Sequence, residues 1–311
     1  MILTVTANAA IDKRYVVERF GVGNVNRVKS CTSSAGGKGI NVARVAHLLG
    51  EDVVATGFLG GHAGKFISQQ VENLGIKSDF VWCQGESRTC INIWDEVAKE
   101  QTEFLEPGFS VTEQECGEIM EKFVSLLPGC RVVTISGSTP KGTGASLYRS
   151  MMRAAREAKK QVFLDTSGAL LEECILDRPT LIKPNIDEIR MLTGKPMNTK
   201  ESLIQAADEL HHDGIENVVI SLGKDGSLVS GKEGVFEVKV PAIDAVNTVG
   251  CGDSMIAGFA VGMARGLSME DTIRLASAVS AANAMRMETG FFVKEDMEAL
   301  LPQIQIRKIR D

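Results

Sequence analysis

The sequence predicts an α/β protein in which a mostly parallel central sheet lies between two layers of helices, with a small second sheet as a lid. Short apolar strand segments alternate with helical segments along most of the chain. Residues 13–33 and 80–105 depart from this pattern, because several short strand-like runs follow one another without a helix. Two glycine clusters each open a helix, where ligands of such sheets bind.

Composition restricts the classes of function. Of the 311 residues, 44% are apolar and 24% are charged, which is typical of a folded chain and not of a disordered one. The apolar stretches are too short for a membrane span, and residues 1–10 lack the basic start of a signal peptide. The net charge of −6 disfavours nucleic acid and anionic membranes as partners. We expect a single domain, residues 1–311, that binds small molecules.

The cysteines indicate the compartment. The seven cysteines are an odd number, are widely spaced and include no Cys-x-x-Cys pair. This pattern favours free thiols over a disulfide framework or a zinc site. The sequence therefore predicts a cytoplasmic protein.

The first half of the chain mixes both element types. Apolar and β-branched runs predict strands, and apolar residues repeating every three or four positions predict helices. The predicted strands are 1–6, 15–20, 27–32, 52–58, 80–83, 89–94, 102–105 and 131–136. The predicted helices are 39–49, 65–74 and 112–127.

The second half alternates more regularly and becomes helical at its end. The same periodicities apply, and glycines or prolines separate the segments. The predicted strands are 161–165, 180–183, 217–221, 227–230 and 235–240. The predicted helices are 145–158, 187–192, 201–211, 252–266, 269–287 and 295–301.

The strand runs within residues 13–33 and 80–105 predict a small sheet. Parallel strands need crossover connections, so consecutive strands without helices join a parallel sheet poorly. We expect them to project over one edge of the central sheet as a lid. One face of such a lid would be bare, and the apolar Ile91, Ile93 and Trp94 favour pairing with a second copy. The sequence therefore predicts a homodimer through the lid.

The first glycine cluster, residues 35–41, reads Ala-Gly-Gly-Lys-Gly-Ile-Asn and opens the helix at 39–49. Small residues let a ligand approach the backbone, and free N–H groups at a helix start attract anions. A flexible turn before a helix explains the same composition, so the cluster alone leaves both interpretations open.

The second cluster, residues 247–254, reads Asn-Thr-Val-Gly-Cys-Gly-Asp-Ser and opens the helix at 252–266. Gly250 and Gly252 leave amides free at the positive end of the helix, where an oxyanion would be stabilised. Asp253 would lie beside that site. An acidic residue favoured only by the helix dipole is the alternative interpretation.

Together and in this order, the two clusters resemble the signatures of the PfkB carbohydrate kinases, which have the ribokinase-like fold. The second signature matches residues 247–260, and the resemblance covers nearly the whole chain. The residues that fit the first signature are Gly36, Gly37, Gly39, Asn41 and Gly50.

Shorter motifs on the substrate side agree with this resemblance. Residues 8–12 resemble the family's Asn-Pro-x-x-Asp, with Ala9 in place of proline, and imply that Asp12 holds sugar hydroxyls. Residues 136–140 resemble the Ser-Gly-Ser-x-Pro loop beside the substrate, which includes Ser138.

Two further motifs resemble the family's nucleotide side. Lys183, Asn185 and Glu188 fit Lys-Pro-Asn-x-x-Glu, a motif tied to Mg²⁺ and the nucleotide phosphates. The Ser-Leu-Gly loop that lines the nucleotide pocket is matched by Ser221, Gly223 and Gly226.

The resemblance implies transfer of the γ-phosphoryl group of ATP to a sugar hydroxyl. Asp253 would accept the hydroxyl proton, and the helix dipole should lower its pKa. The amides that would stabilise the transferred group are those of Gly250, Cys251 and Gly252. Asn185 and Glu188 would hold Mg²⁺ largely through water, and Asn283 would lie near the nucleotide base. The family also implies a monovalent cation such as K⁺, held by backbone carbonyls.

A phosphate already on the sugar would require a basic side chain, ideally arginine. Arg88 matches the arginine at the start of a lid strand in phosphosugar kinases, and Arg27 and Lys38 match basic positions there. Gly37 and Asn41 complete the implied sugar site. For each basic residue, a solvated surface charge is the alternative.

Two rival functions are weaker. A non-catalytic sugar- or nucleotide-binding regulator would be expected to lack Asp253 or Glu188, and both are present. A ribose or nucleoside kinase would not need Arg88 and Arg27. The sequence therefore predicts a sugar-phosphate kinase.

The sequence of the predicted lid strands indicates which sugar phosphate is the substrate. Residues 85–91 and 102–108 resemble tagatose-6-phosphate kinases more than 1-phosphofructokinases, which more usually have Thr-Arg-Ile-Asn after the glycine. Asn92 and Ile93 fit neither pattern fully. D-tagatose 6-phosphate is the expected substrate and fructose 1-phosphate is the alternative.

Overall fold

The computed structural model describes residues 1–311 and contains fifteen strands and ten α-helices. The strands are β1 (Ile2–Thr6), β2 (Ala10–Val17), β3 (Ser30–Gly36), β4 (Val53–Gly60), β5 (Lys77–Ser78), β6 (Val81–Cys83), β7 (Arg88–Asp95), β8 (Glu100–Leu105), β9 (Val132–Ser136), β10 (Gln161–Asp165), β11 (Leu181–Ile182), β12 (Asn217–Ser221), β13 (Ser227–Gly231), β14 (Gly234–Lys239) and β15 (Gln305–Arg310). The helices are α1 (Lys38–Leu48), α2 (Gly61–Asn73), α3 (Glu113–Leu126), α4 (Gly144–Glu157), α5 (Gly168–Cys174), α6 (Ile186–Thr193), α7 (Lys200–His212), α8 (Cys251–Arg265), α9 (Met269–Ala284) and α10 (Lys294–Leu300).

The central sheet has eleven strands in the order β15-β14-β13-β12-β11-β10-β9-β1-β4-β5, with β6 also paired to β4. The strands from β12 to β5 run parallel, and β13, β14 and β15 add an antiparallel edge. Strands β1 and β9 are buried along their whole length, as expected where helices cover both faces of a parallel sheet.

The helices form two layers. One apolar core lies between the sheet and α1, α2, α8, α9 and α10. A second core lies on the opposite face, beneath α3, α4, α5, α6 and α7. This confirms the predicted three-layer α/β architecture. No helix in the chain combines the length and apolar character that a membrane crossing requires.

The small second sheet has the order β3-β2-β7-β8. The expected strand at 80–83 does not belong to it, because β6 pairs with Phe58–Gly60 of β4 in the central sheet. Phe80 packs into one central core and Val81 and Cys83 into the other. A segment that packs into both cores lies in the plane of the central sheet.

Other differences lie at the edges of elements. Strand β2 begins at Ala10, earlier than the predicted 15–20, because its first residues pair with Gly36 and Arg88. Helix α5 was not predicted, and neither was the charged strand β15, which pairs with β14 at the edge of the sheet. Neither element has a long apolar repeat, so tertiary pairing decides its structure.

Candidate active site

A cavity of about 830 Å³ is bounded by the carboxyl edge of the central sheet, the small sheet and the starts of α1 and α8. This is the place where ligands of open α/β sheets bind. The cavity brings together much of the predicted site. The predicted residues that line it are Asp12, Gly37, Lys38, Asn41, Arg88, Ser138, Gly250, Gly252 and Asp253.

Helices α1 and α8 each follow a glycine at this cavity, and neither has a side-chain cap. Gly37 precedes α1 with φ 100°, and Gly250 precedes α8 with φ 81°. A Cβ on Gly250 would lie 2.7 Å from Cγ2 of Thr289 and 2.8 Å from the amide nitrogen of Gly290. Glycine is therefore required at position 250 by both its conformation and its neighbours.

The free amides at the start of α8 differ slightly from those expected. The N–H groups of Gly250, Gly252 and Asp253 have no acceptor within the protein. The amide of Cys251 donates to the carbonyl of Thr248 at 3.3 Å and belongs to the turn. The thiol of Cys251 lies outside the cavity, and burial raises its pKa to about 11, so it is a poor nucleophile.

Asp253 is buried at the first turn of α8, and its Oδ2 accepts a hydrogen bond of 2.9 Å from Nδ2 of Asn41. The expectation that the helix dipole lowers its pKa was wrong. Burial raises the pKa of Asp253, and the Lys38 ammonium opposes that effect only in part. Desolvation outweighs the dipole because the carboxylate loses nearly all contact with water. A raised pKa makes Asp253 a stronger base.

An unpredicted carboxylate, Asp165, lies beside Asp253. Its side chain is buried at the end of β10 and accepts hydrogen bonds of 3.3 Å from Nζ of Lys38. Nζ of Lys183 lies 3.7 Å from Oδ1 of Asp165. Burial alone would raise the pKa of Asp165, but the Lys183 and Lys38 ammonium groups hold it below the ordinary value. Its position at the end of a parallel strand was the signal that could have revealed it.

Asp165 thus fixes two cations at the start of α8. A Cβ on Gly252 would lie 3.0 Å from Nζ of Lys183, so the glycine leaves room for that ammonium. Positive charge next to free amides is suited to a polyanionic phosphate.

Arg88 is the first residue of strand β7 and lies at the cavity wall. Its Nε donates to the carbonyl of Asn8 at 3.1 Å, and its Nη1 donates to that of Glu106 at 3.0 Å. Nη2 has no partner within the protein and is available to a ligand. Asn8 also donates to Oγ of Ser138 at 3.1 Å, which ties the Ser138 loop to the same wall.

Asp12 lies close to Arg88 and is mostly buried in β2. Burial raises its pKa to about 6, against the lowering effects of Arg44 and Arg88. At neutral pH the carboxylate remains mostly ionised and can accept hydrogen bonds from hydroxyls. Two predicted sugar contacts therefore share one wall.

The predicted nucleotide residues lie next to one another, outside this cavity. Asn185 and Glu188 form a reciprocal capping box at the start of α6, with two hydrogen bonds of 2.9 Å. Ser221 forms a bridge with Asn185, and its amide donates to the carbonyl of Pro184 at 3.0 Å. Gly223 and Gly226 follow in a turn with positive φ.

Two predicted residues lie elsewhere. Arg27 is exposed in the turn between β2 and β3 and does not line the cavity of its own chain. Asn283 is fully buried, and its side-chain amide is hydrogen-bonded within the protein. Its Oδ1 accepts from Ser254 and Phe291, and its Nδ2 donates to the carbonyl of Val249. Asn283 therefore braces the turn before α8.

The predicted magnesium residues offer few side-chain atoms that could bind Mg²⁺ directly. No group of three or more His, Cys, Asp or Glu side chains is placed to hold a metal ion. Glu188 uses Oε2 in the capping box, which leaves Oε1 free, and Oδ1 of Asn185 keeps one lone pair. These oxygens fit a hydrated Mg²⁺ that takes its other ligands from phosphates.

Proteins similar to this chain include named sugar-phosphate kinases. A tagatose-6-phosphate kinase from Staphylococcus epidermidis is 38% identical over 312 residues, covering 99% of this chain and 100% of that protein. The structure of a possible 1-phosphofructokinase from Thermotoga maritima has a TM-score of 0.90 at 28% identity, covering 100% of this chain and 99% of that one. Phosphofructokinase-2 from Escherichia coli, in complex with fructose-6-phosphate, has a TM-score of 0.90 at 25% identity, covering 97% and 98%.

The family itself follows from a match over most of the chain. Residues 3–296 match the pfkB family carbohydrate kinases, and this range contains both glycine-initiated helix starts and the buried Asp253. The chain belongs to the pfkB family of carbohydrate kinases.

Proposed function

We propose that the protein transfers the γ-phosphoryl group of ATP to the 1-hydroxyl of D-tagatose 6-phosphate, giving D-tagatose 1,6-bisphosphate and ADP. The observation that carries this proposal is that Asp253, at an uncapped helix start, lines the same cavity as Arg88. The S. epidermidis relative, named a tagatose-6-phosphate kinase, supports the choice of sugar.

Each group in the cavity has a role in this reaction. Asp253 takes the hydroxyl proton as the sugar oxygen attacks the γ-phosphorus and ADP leaves. The amides of Gly250 and Gly252, with the ammonium groups of Lys38 and Lys183, stabilise charge on the transferred group. Asn185 and Glu188 would hold a hydrated Mg²⁺, which would neutralise charge on the ATP phosphates.

The sugar is held at the opposite wall. Nη2 of Arg88 binds the existing phosphate, and Asp12 accepts hydrogen bonds from ring hydroxyls. Asn41 and Ser138 also line the cavity. Because the Arg88 contact exists before and during transfer, it lowers KM for the sugar phosphate and leaves kcat largely unchanged.

Fructose 1-phosphate is the second candidate substrate. The T. maritima structure, a possible 1-phosphofructokinase, favours it. A ketohexofuranose has a CH₂ arm on each side of the ring oxygen, so the two sugars can enter one site in opposite senses. A misplaced C4 hydroxyl facing a buried partner costs roughly 1–3 kcal/mol, or about 5- to 150-fold, which discriminates without excluding.

A coupled ADP-release assay with phosphorylated ketohexoses tests the proposal. We expect the highest kcat/KM for D-tagatose 6-phosphate, and we expect Arg88→Ala to raise its KM without changing KM for ATP. A kcat/KM more than about tenfold higher for fructose 1-phosphate would replace the sugar and leave the kinase activity standing. A rise confined to KM for ATP would show that Arg88 does not hold the sugar phosphate.

We also propose a cytoplasmic homodimer that pairs through the small sheet. All seven cysteines are free, as in a reducing compartment. Phe104 and Leu105 of β8 are exposed, and so are Val22 and Val25 in the turn after β2. Exposed apolar residues on one element favour self-association. Sedimentation at micromolar protein should give a dimer, and a monomer alone would contradict the pairing.

A monovalent cation near the start of α8 stays part of the proposal. Backbone carbonyls would hold it, and the family resemblance is its support. Replacing K⁺ by tetramethylammonium in the assay should lower kcat, and an unchanged rate would remove the cation from the proposal.

A further inference from the structure

Arg44 is a buried cation on α1, at the wall of the cavity. Its Nη1 donates to Oδ1 of Asn41 at 3.2 Å and to the carbonyl of Thr289 at 2.8 Å. Its Nη2 donates to the carbonyl of Ala35. Burying a guanidinium is costly unless its donors are satisfied, so a role for this residue at this position is expected.

The first contact leads directly to Asp253. An asparagine side chain has one acceptor end and one donor end, and arginine can only donate. With Oδ1 of Asn41 facing Arg44, Nδ2 of Asn41 faces Asp253 and donates to Oδ2 at 2.9 Å. Arg44 therefore decides which way the amide points.

The other contacts reach two further parts of the site. Ala35 lies near the end of β3 in the small sheet, and Thr289 packs where a Cβ on Gly250 would lie. One side chain thus joins the small sheet, the base and the loop behind the free amides of α8.

We propose that Arg44 is a positioning residue, which acts through Asn41 and Thr289 to hold Asp253 and the start of α8 in their catalytic arrangement. The inference rests on the role of Asp253 as base. It extends the proposed function to a residue that need not touch either substrate.

The charges around Asp253 fix the sign of the expected pH effect. Lys38 and Lys183 favour its ionised form, whereas Asp165 and burial oppose it. Asp253 and the nearby Asp12 both favour the charged form of Arg44. Removing the Arg44 cation therefore raises the pKa of Asp253, and activity is lost at a higher pH as the solution is acidified.

The test compares Arg44→Met with Arg44→Lys in the full-length enzyme. For Arg44→Met we expect kcat to fall about tenfold, KM for ATP to stay within about twofold, and the acidic limb of the kcat profile to move up by about half a pH unit. Arg44→Lys keeps the charge and should bring the kcat profile most of the way back to its wild-type position. If Arg44→Met does not fold, Arg44→Lys is measured in the wild-type enzyme and in an Asn41→Leu variant. An effect on kcat that passes through Asn41 is present in the first and disappears in the second.

Arg265→Met is the matched control. Arg265 joins α8 to the end of α1, donating to Glu51 at 2.6 Å and to the carbonyl of Leu49 at 2.7 Å, far along the helix from the site. It should lower the melting temperature without moving kcat or the pH profile. The proposal is overturned if folded Arg44 variants keep the wild-type kcat and pH profile. Asp253→Asn separates the two questions, because an active Asp253→Asn enzyme would refute the base itself.

Discussion

The starts of α1 and α8, at the cavity, differ from the starts of three helices elsewhere in this molecule. Helices α1 and α8 begin after Gly37 and Gly250 and have no side-chain cap. Helices α3, α6 and α7 begin at Thr112, Asn185 and Thr199, and each has a reciprocal capping box. A capping box satisfies the first N–H groups from within, whereas a glycine start leaves them to a ligand. The stability that a cap would supply is absent where we propose that the phosphoryl group binds.

The strongest test of this contrast is Asp253→Asn at the uncapped start of α8. We expect kcat to fall by at least about 10²-fold with ATP binding nearly unchanged, because the proton acceptor is lost and the shape is kept. Steady-state kinetics and ATP titration measure the two effects. A variant that keeps more than about a tenth of the wild-type kcat would show that the open helix start works without a base.

Gly250→Ala tests whether the glycine itself is needed. The new Cβ would press on Thr289 and Gly290, and the positive φ would be strained. We expect kcat to fall by about tenfold or more, together with a lower melting temperature.

Gly266→Ala is the control at the other end of the same helix. Gly266 has φ 71°, with no atom within 4 Å of the added Cβ. It should lose only about 1–2 kcal/mol of stability and keep its kcat. Equal kinetic losses in both variants would remove the distinction between the two ends of α8.

Helix α6 is the intermediate case, since its capping box contains predicted magnesium residues. Glu188→Gln keeps a side chain that can complete the box but removes the negative charge. We expect an unchanged melting temperature and about fivefold more Mg²⁺ for half-maximal rate. If the Mg²⁺ dependence does not change, Glu188 is only a cap, and α6 belongs with α3 and α7.

The features of the fold and the site that the sequence predicts are those set by residues close together in the chain. The glycine starts and Asp253 were predictable because each signal lies within one helical turn. Asp165 and Arg44 were missed, since their partners come from other elements of the chain. The direction of the Asp253 pKa shift was also missed, because the local dipole is visible in sequence and burial by distant residues is not.

Long-range packing also explains why Asn283 and the strand at 80–83 lie in surroundings that the sequence did not predict. Asn283 was expected near the nucleotide base, but its neighbours Ser254 and Phe291 enclose it in the core. The strand at 80–83 was expected in the small sheet. It pairs instead with β4 of the central sheet, and this pairing depends on contacts between distant segments of the chain. Local patterns predicted the elements, and packing decided where each one lies.

Thr112→Ala gives the smallest expected effect and completes the comparison. Oγ1 of Thr112 accepts from the amide of Glu115 at 3.2 Å, and Oε2 of Glu115 accepts from the amide of Thr112 at 2.7 Å. Removing the hydroxyl should lower the free energy of unfolding by about 1 kcal/mol, while kcat and both KM values stay unchanged. Denaturant unfolding and the coupled assay measure the two. A kinetic change would mean that a capped helix start also serves the site, and the division between structural and functional starts would fail.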